Sequence, residues 1–538
     1  MPTPGAGPSL ARNILHNLAG QLLTLLLTLV AVKFILVRLG PGVFGVIFFV
    51  LTISPLLVAA LEMGLSSTIV RQVAAHSGRD DGYITGLVRT SATIYWALYL
   101  LAVLSLLPLS SFLSTRWLHL EGLSAGDAAL VLVVLSAGAL TALPRALYSS
   151  VLRGLRDTAT VNLVDTGTVA VQQTVAAILL ALGAGTLPVV TWLAAAYALA
   201  TIVYAVAVGR RVGWVALAPS WTIAVVRDNL RFSRHVFAVS ILQTVNQQLD
   251  RLVVSSLVVV SLFGAYSFMA SLALRGSVLS LAIYLAGLPA LAVLIAGSDH
   301  AAALARFRKL NDLQCYLAAL TMTVVPFAVL PLGGYLFGHD VADRVWLPVS
   351  LVALGVFMQM AMSTPVAVAL AAGRPGIVAR AFAGGAAVAA PITYVSVRLF
   401  GISGGGIGIV VFNAIAGALM IPAVTRRLLG IPASDWFRQV GTVALLWAIS
   451  FGATLTGLAL SHHLQALPLA GGYLAAALAF TLLFYRWGMG AELRGVTVRS
   501  AVESRAALLP RGWSCLRRSP AASVSHSRSS AAANAARE

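Results

Sequence analysis

Charge is scarce in this 538-residue chain: only 10% of residues are Asp, Glu, Lys or Arg, where soluble domains average about a quarter. Acidic residues are the scarcer sign, 17 against 36 basic ones, and the only lysines are Lys33 and Lys309. The two cysteines, Cys315 and Cys515, are too few and too far apart for a disulfide framework or a thiolate metal site. A Walker-type phosphate loop needs Lys directly after Gly. Lys33 follows Val32 and Lys309 follows Arg308, which excludes a nucleotide motor of that kind. His462 and His463 stand together without a third ligand nearby and read as a solvated pair, not a metal site. No stretch before residue 487 is polar and long enough for a soluble domain. What is there is apolar: 59% of residues are hydrophobic and the mean hydropathy is +0.92, a composition that belongs to membrane proteins.

A transmembrane helix needs roughly 20 apolar residues. Fourteen such runs are expected, at 14–37, 43–64, 86–112, 127–150, 159–182, 187–208, 236–259, 264–292, 313–337, 346–371, 376–399, 403–424, 439–460 and 466–486. The first is too long for a signal-peptide core and lacks a cleavage site after it. The net charge of +19 does not point to nucleic acid, because the arginines cluster in short loops. Alternate loops starting from the N-terminus hold 19 basic residues and the other set holds four, Arg38, Arg116, Arg344 and Arg398. The positive-inside rule then places both termini in the cytoplasm. Residues 487–538 carry eight arginines with many Ser and Ala, and read as a disordered basic cytoplasmic tail.

An internal repeat is visible. Phe44-Gly45 follows the first span and Phe263-Gly264 follows the seventh, 219 residues later. Six spans separate the copies, and an even number preserves orientation, so the repeat would be parallel.

The informative polar residues lie inside spans, where charge is costly and usually faces a cavity or a partner. The seventh span concentrates them. Gln243, Gln247 and Asp250 share one helical face with Asn246, while Arg251 points about 100° away. Arg275 lies in the eighth span, and Asn162, Asp165, Gln172 and Gln173 in the fifth. Two readings stand: buried pairs that fix packing, or the lining of a hydrated substrate cavity. Lys33, Glu62 and Arg89, near span ends, read as snorkelling to the interface. Pro55, Pro289, Pro326, Pro331, Pro365 and Pro391 interrupt backbone bonding and permit bending.

Certain segments resemble a known family. They are Asn17-Leu18 with Leu39-Gly40-Pro41-Gly42-Val43-Phe44-Gly45; Glu62-Met63-Gly64-Leu65-Ser66-Ser67 with Arg71; Asn246-Gln247-Gln248-Leu249-Asp250-Arg251 with Phe263-Gly264-Ala265-Tyr266-Ser267; and Gly373-Arg374-Pro375 with Phe400-Gly401-Ile402-Ser403-Gly404. Over about residues 12–485 the chain resembles the bacterial polysaccharide (O-antigen-type) flippases. These belong to the multidrug/oligosaccharidyl-lipid/polysaccharide exporter superfamily. The resemblance implies an all-α polytopic membrane protein of about 14 helices, with two pseudo-symmetric six-helix lobes around a central cavity and two extra C-terminal helices. The corresponding divisions are a cytoplasmic N-terminus (1–13), an N-lobe (14–208), a basic linker (209–235), a C-lobe (236–424), helices 13–14 (425–486) and the tail (487–538).

The resemblance further implies movement of an undecaprenyl-diphosphate-linked glycan between leaflets of a bacterial inner membrane, with no covalent chemistry and no cofactor. Arg251, Arg275 and Lys33 would then offset the diphosphate, and Gln243, Asn246 and Gln247 would bond sugar hydroxyls. Asp250 is the candidate for a coupling ion, or pairs with an arginine. Partners would be membrane lipids and a glycan polymerase or glycosyltransferases. A lipid II flippase and a cation-coupled multidrug antiporter are alternatives within the superfamily, and a membrane scaffold without transport lies outside it.

Overall fold

The computed structural model describes residues 10–62, 64–297, 299–461, 464–490 and 493–494. The chain divides into two compact units, Met1–Gly488 and Met489–Glu538. The expected tail lies almost wholly outside the described residues, as do His462 and His463.

The first half begins with α1 (Leu10–Glu62), a merged pair of spans broken at Gly40, whose φ of +85° no ordinary side chain adopts readily. Then come α2 (Leu65–His76), α3 (Asp81–Phe112), α4 (Ala125–Ala139), α5 (Ala142–Gly154), α6 (Thr158–Ala181) and α7 (Thr186–Val212). The second half holds α8 (Ile223–Leu257), α9 (Val260–Arg275), α10 (Val278–Ala296), α11 (His300–Phe337), α12 (His339–Ala371), α13 (Pro375–Phe400) and α14 (Ile407–Leu428). Last come α15 (Ala433–Trp447), α16 (Ala453–Leu460) and α17 (Ala466–Leu483).

Eleven segments among the described residues are long and apolar enough to cross a membrane. The first of them, Leu23–Glu62, contains two spans. The seventh span is absent from the eleven because α8 carries the amides and charges of residues 243–251. The eighth is absent because it is cut into α9 and α10 at Gly276-Ser277. With these three, each of the fourteen expected spans has its helix or broken helix. The short α2 was not among them: it buries Leu65, Ile69 and Val73 on one face, and an amphipathic helix has no continuous apolar run.

The helices sort into two groups. In the first, α1 packs on α4 and α6, and α7 on α4, α5 and α6; in the second, α8 packs on α13, and α12 on α10, α11 and α14. The last two spans lie against α11. Tyr316 stacks on Phe480 at 5.9 Å, and the Trp436 indole donates to Asn311 Oδ1 at 2.9 Å.

The bundle end where the chain starts is called proximal here, and the opposite end distal. The halves share a core at the distal end, where Phe44, Val46 and Phe49 join Val260, Phe263 and Phe268. Among the described residues, the proximal core around Leu65, Leu87, Leu147 and Tyr204 draws on residues 58–217, all from the first half.

The repeated Phe-Gly pairs meet at the distal junction. A methyl on Gly45 would lie 2.0 Å from the Val260 carbonyl oxygen, and one on Gly264 would lie 2.7 Å from Gly45 Cα. The rings pair reciprocally. Phe44 meets Phe268 at 6.1 Å and 68°, and Phe49 meets Phe263 at 6.3 Å and 64°. Adding the repeat offset to Phe44 and Phe49 gives Phe263 and Phe268, so the two contacts are images of one another, as in an isologous interface.

Candidate functional site

Below the distal junction lies a cavity of about 280 Å³ between the two halves. Phe48 and Phe268 line it. Their rings touch at 5.6 Å, so the aromatic junction forms its distal roof. Two cations line its walls, Arg251 from α8 and Arg275 from the end of α9, with Gln172 and Gln173 of α6 and Tyr197 of α7 opposite.

Arg251 is buried, with 7% of its surface exposed. Its Nη1 lies 3.4 Å from Gln248 Oε1, while its Nη2 is buried without a hydrogen-bond partner. Among the described residues no carboxylate forms an ion pair with it. A buried guanidinium with a free donor is costly, and here the free donor belongs to a residue that borders open space. Arg275 is exposed into the same cavity. It ends α9, where the unpaired carbonyls of a helix C-terminus favour a cation.

Gln172 is fixed from both ends. Its side-chain amide donates to the Leu193 backbone carbonyl at 2.9 Å, and its backbone carbonyl accepts from Trp192 Nε1 at 3.0 Å. These bonds lock α6 against α7 and hold the polar wall opposite the arginines.

Asp250, next to Arg251 in sequence, does different work. Its two carboxylate oxygens accept from the backbone N–H groups of Gly408 and Ile409, each at 3.0 Å. These are orphan donors of the first turn of α14, and an anion there also meets the positive end of the helix dipole. Gly408 is required for the approach, because a methyl on it would fall 2.3 Å from Asp250 Oδ1. Gln243, Asn246 and Gln247 share the Asp250 face and are not among the residues lining the arginine cavity. The 100° step per residue that separates Asp250 from Arg251 thus divides α8 into a face that fastens the second half and an edge that meets the cavity.

Lys33 stands apart from both arginines. Its ammonium donates to the Tyr335 carbonyl and lies 4.6 Å from the centre of the Tyr335 ring. It therefore bridges α1 to the end of α11 at the distal junction. Two further contacts reinforce that junction: Trp117 Nε1 donates to Ser255 Oγ at 3.0 Å, and Val260 N–H to the His119 carbonyl at 2.9 Å.

The structure thus brings Arg251 and Arg275 together, joined by Gln172 and Gln173. Tyr197 carries no charge or intramembrane amide to mark it in the sequence.

A family model described as polysaccharide biosynthesis protein matches residues 10–294. No curated protein matches the chain. Among solved structures, the chain is similar to the lipid II flippase MurJ in an inward closed conformation. That match has 13% identity and a TM-score of 0.63, covering 87% of this chain and 99% of that one. It is also similar to an inward-facing multidrug resistance MATE family transporter of the MOP superfamily. There the identity is 17% and the TM-score 0.61, with 77% of this chain and 95% of that one covered. The eukaryotic MATE transporter AtDTX14 aligns at 13% identity and a TM-score of 0.53, over 79% of this chain and 98% of its own. With its helices arranged as in these transporters and more than half its length matched by the family model, the chain belongs to the polysaccharide biosynthesis protein family, built on the fold of the MOP superfamily.

Proposed function

We propose that the protein is a flippase that carries a lipid-linked glycan, joined through a diphosphate to a polyprenyl chain, across a bacterial inner membrane. The observation that carries this reading is the unpaired, buried Arg251 facing a cavity it shares with Arg275. Two guanidiniums and no paired carboxylate make an anion site, and their planar forks suit phosphate oxygens. Amides at Gln172 and Gln173 suit sugar hydroxyls. The family description supports a glycan cargo. The 19-to-4 loop bias supports a cytoplasmic proximal end, with both termini there.

Transport on this reading is a change of access. The distal aromatic junction separates cargo from the outer leaflet in the state seen. Cargo enters from the proximal side, the junction opens, and the proximal ends close. Membrane lipid accommodates the polyprenyl chain throughout, and no bond is made or broken. Glycosyltransferases that build the cargo and a polymerase that consumes it are the partners this cycle needs. A lipid II flippase would present the same diphosphate, so the glycan alone separates the two readings. A cation-coupled antiporter would need an intramembrane acid free to bind the ion, and the coupling-ion candidate Asp250 is not free, since both its oxygens accept from backbone amides.

The test is Arg251→Ala and Arg251→Lys in cells that depend on the protein for export. Arg251→Ala is expected to abolish export at normal membrane abundance, with lipid-linked glycan accumulating on the cytoplasmic leaflet. Arg251→Lys should keep part of it, because the charge stays and the fork is lost. Normal export by Arg251→Ala would overturn the reading.

A further inference from the structure

A second cavity, of about 400 Å³, adjoins the first on its proximal side. Leu51 and Tyr197 line both. Its one basic wall residue is Arg145 of α5.

Arg145 is placed by a helix break. Pro144 has no N–H to give the Leu140 carbonyl, so α4 stops at Ala139 and α5 restarts at Ala142. The Leu143 N–H takes the Leu140 carbonyl in a tight turn instead, at 2.9 Å. Thr201 of α7 donates its hydroxyl to the Thr141 carbonyl at 3.1 Å and closes the gap. Irregular backbone at membrane depth is tolerated where protein or a cavity surrounds it. Arg275 likewise stands at a break, between α9 and α10.

The Arg145 guanidinium lies over the Tyr197 ring, 5.8 Å from its centre. Ring stacking uses the guanidinium face and leaves its edge N–H groups for an oxyanion. No ion pair to Arg145 exists among the described residues. Glu62, the acid in the same wall, accepts the Ser66 backbone N–H on Oε1 at 3.2 Å.

We infer that Arg145 is a separate oxyanion subsite, which takes the diphosphate of the cargo before Arg275 and Arg251 do. This rests on the flippase reading above. Counted at about 1.5 Å per residue from the distal ends of α8, α9 and α4, the last through the break into α5, Arg251 lies about 9 Å in, Arg275 about 22 Å and Arg145 about 30 Å. From proximal to distal the cations thus follow in the order Arg145, Arg275, Arg251, with Tyr197 as the wall common to both cavities. Glu62 opposes the anion at the proximal subsite and keeps capture there weak enough for onward movement.

The experiment uses the full-length protein in nanodiscs of uncharged lipid, titrated with polyprenyl diphosphate and separately with inorganic pyrophosphate. Arg145→Ala is expected to weaken polyprenyl diphosphate binding about tenfold. Arg145→Lys should weaken it less, and Glu62→Gln should tighten it. Pyrophosphate should compete, which assigns recognition to the diphosphate itself. Binding of the lipid that pyrophosphate does not displace would assign capture to the polyprenyl chain and overturn the subsite. Tighter binding of free pyrophosphate than of the lipid form would keep the oxyanion subsite and overturn the flippase reading. A wild-type protein that binds neither probe overturns that reading too. Wild-type binding with unchanged affinity in Arg145→Ala overturns the subsite alone. Should Arg145→Ala fail to fold, Arg145→Lys and Glu62→Gln carry the test, and equal affinities in the two overturn it.

Discussion

Asp250 and Arg251 are chain neighbours with opposite duties. The acid fastens α8 to the first turn of α14, and the base borders the space between the halves. Asp250→Ala leaves the Gly408 and Ile409 N–H groups unpaired in a buried place and should destabilise the protein by roughly 2 kcal/mol. Thermal unfolding of the purified protein measures this. Asp250→Asn keeps one acceptor and should fall between. If Asp250→Asn unfolds like wild type yet changes the cation dependence of transport, the acid serves coupling and not capping. The sequence already showed that α8 is polar and that these two residues diverge by about 100°. It did not show which side each would face, because that depends on the first turn of α14, whose Gly408 lies 158 residues from Asp250. Arg145, inside the expected span 127–150, was not among the candidate site residues for a similar reason. Its cue was Pro144, whose missing donor ends α4 earlier than an apolar run reveals.

At the scale of elements, the junction between α1 and α9 is built on two glycines and a set of phenylalanines. Each aromatic pair contributes about 0.5–1.5 kcal/mol beyond its area, but the glycines permit the approach. Gly45→Ala would press a methyl into the Val260 backbone. It should loosen the distal end, and a cysteine at buried Ser255 should become reactive to an impermeant maleimide from the distal side. Continued protection would show that the junction tolerates the methyl. Lys33→Met removes the bridge to Tyr335 but spares the rings, so the same label should react at an intermediate rate. The repeat was legible because both copies keep Phe-Gly at the same place after a span. That the copies touch each other was not legible, since no periodicity within one span encodes a partner six spans away. The short α2 escaped for the opposite reason: its signal is confined to one face of 12 residues.

For the whole molecule, the fourteen spans and the loop charges make a sharp prediction. Cysteines replacing Arg153 and Arg308, both exposed, should react only with reagents that reach the cytoplasm, and one replacing exposed Arg344 should react from outside. Reaction at position 308 from outside would break the alternation of every later span. Hydropathy made the span count readable, because bilayer thickness imposes a length on each run. The broken spans were readable only in part, because a helix interrupted near a cavity is stabilised by partners such as Thr201 that lie elsewhere in the chain. The glycine contact at the distal end has a mechanical consequence. On the proposed cycle it would be the fulcrum of a lever whose arm is α8, which leads into α9 at the distal end and is 35 residues or about 52 Å long. A rotation of about 10° about that point would carry the far end through about 9 Å while the fulcrum itself hardly moves. A single methyl group wedged at the pivot would therefore, besides loosening the distal end, displace the opposite face of the membrane as well.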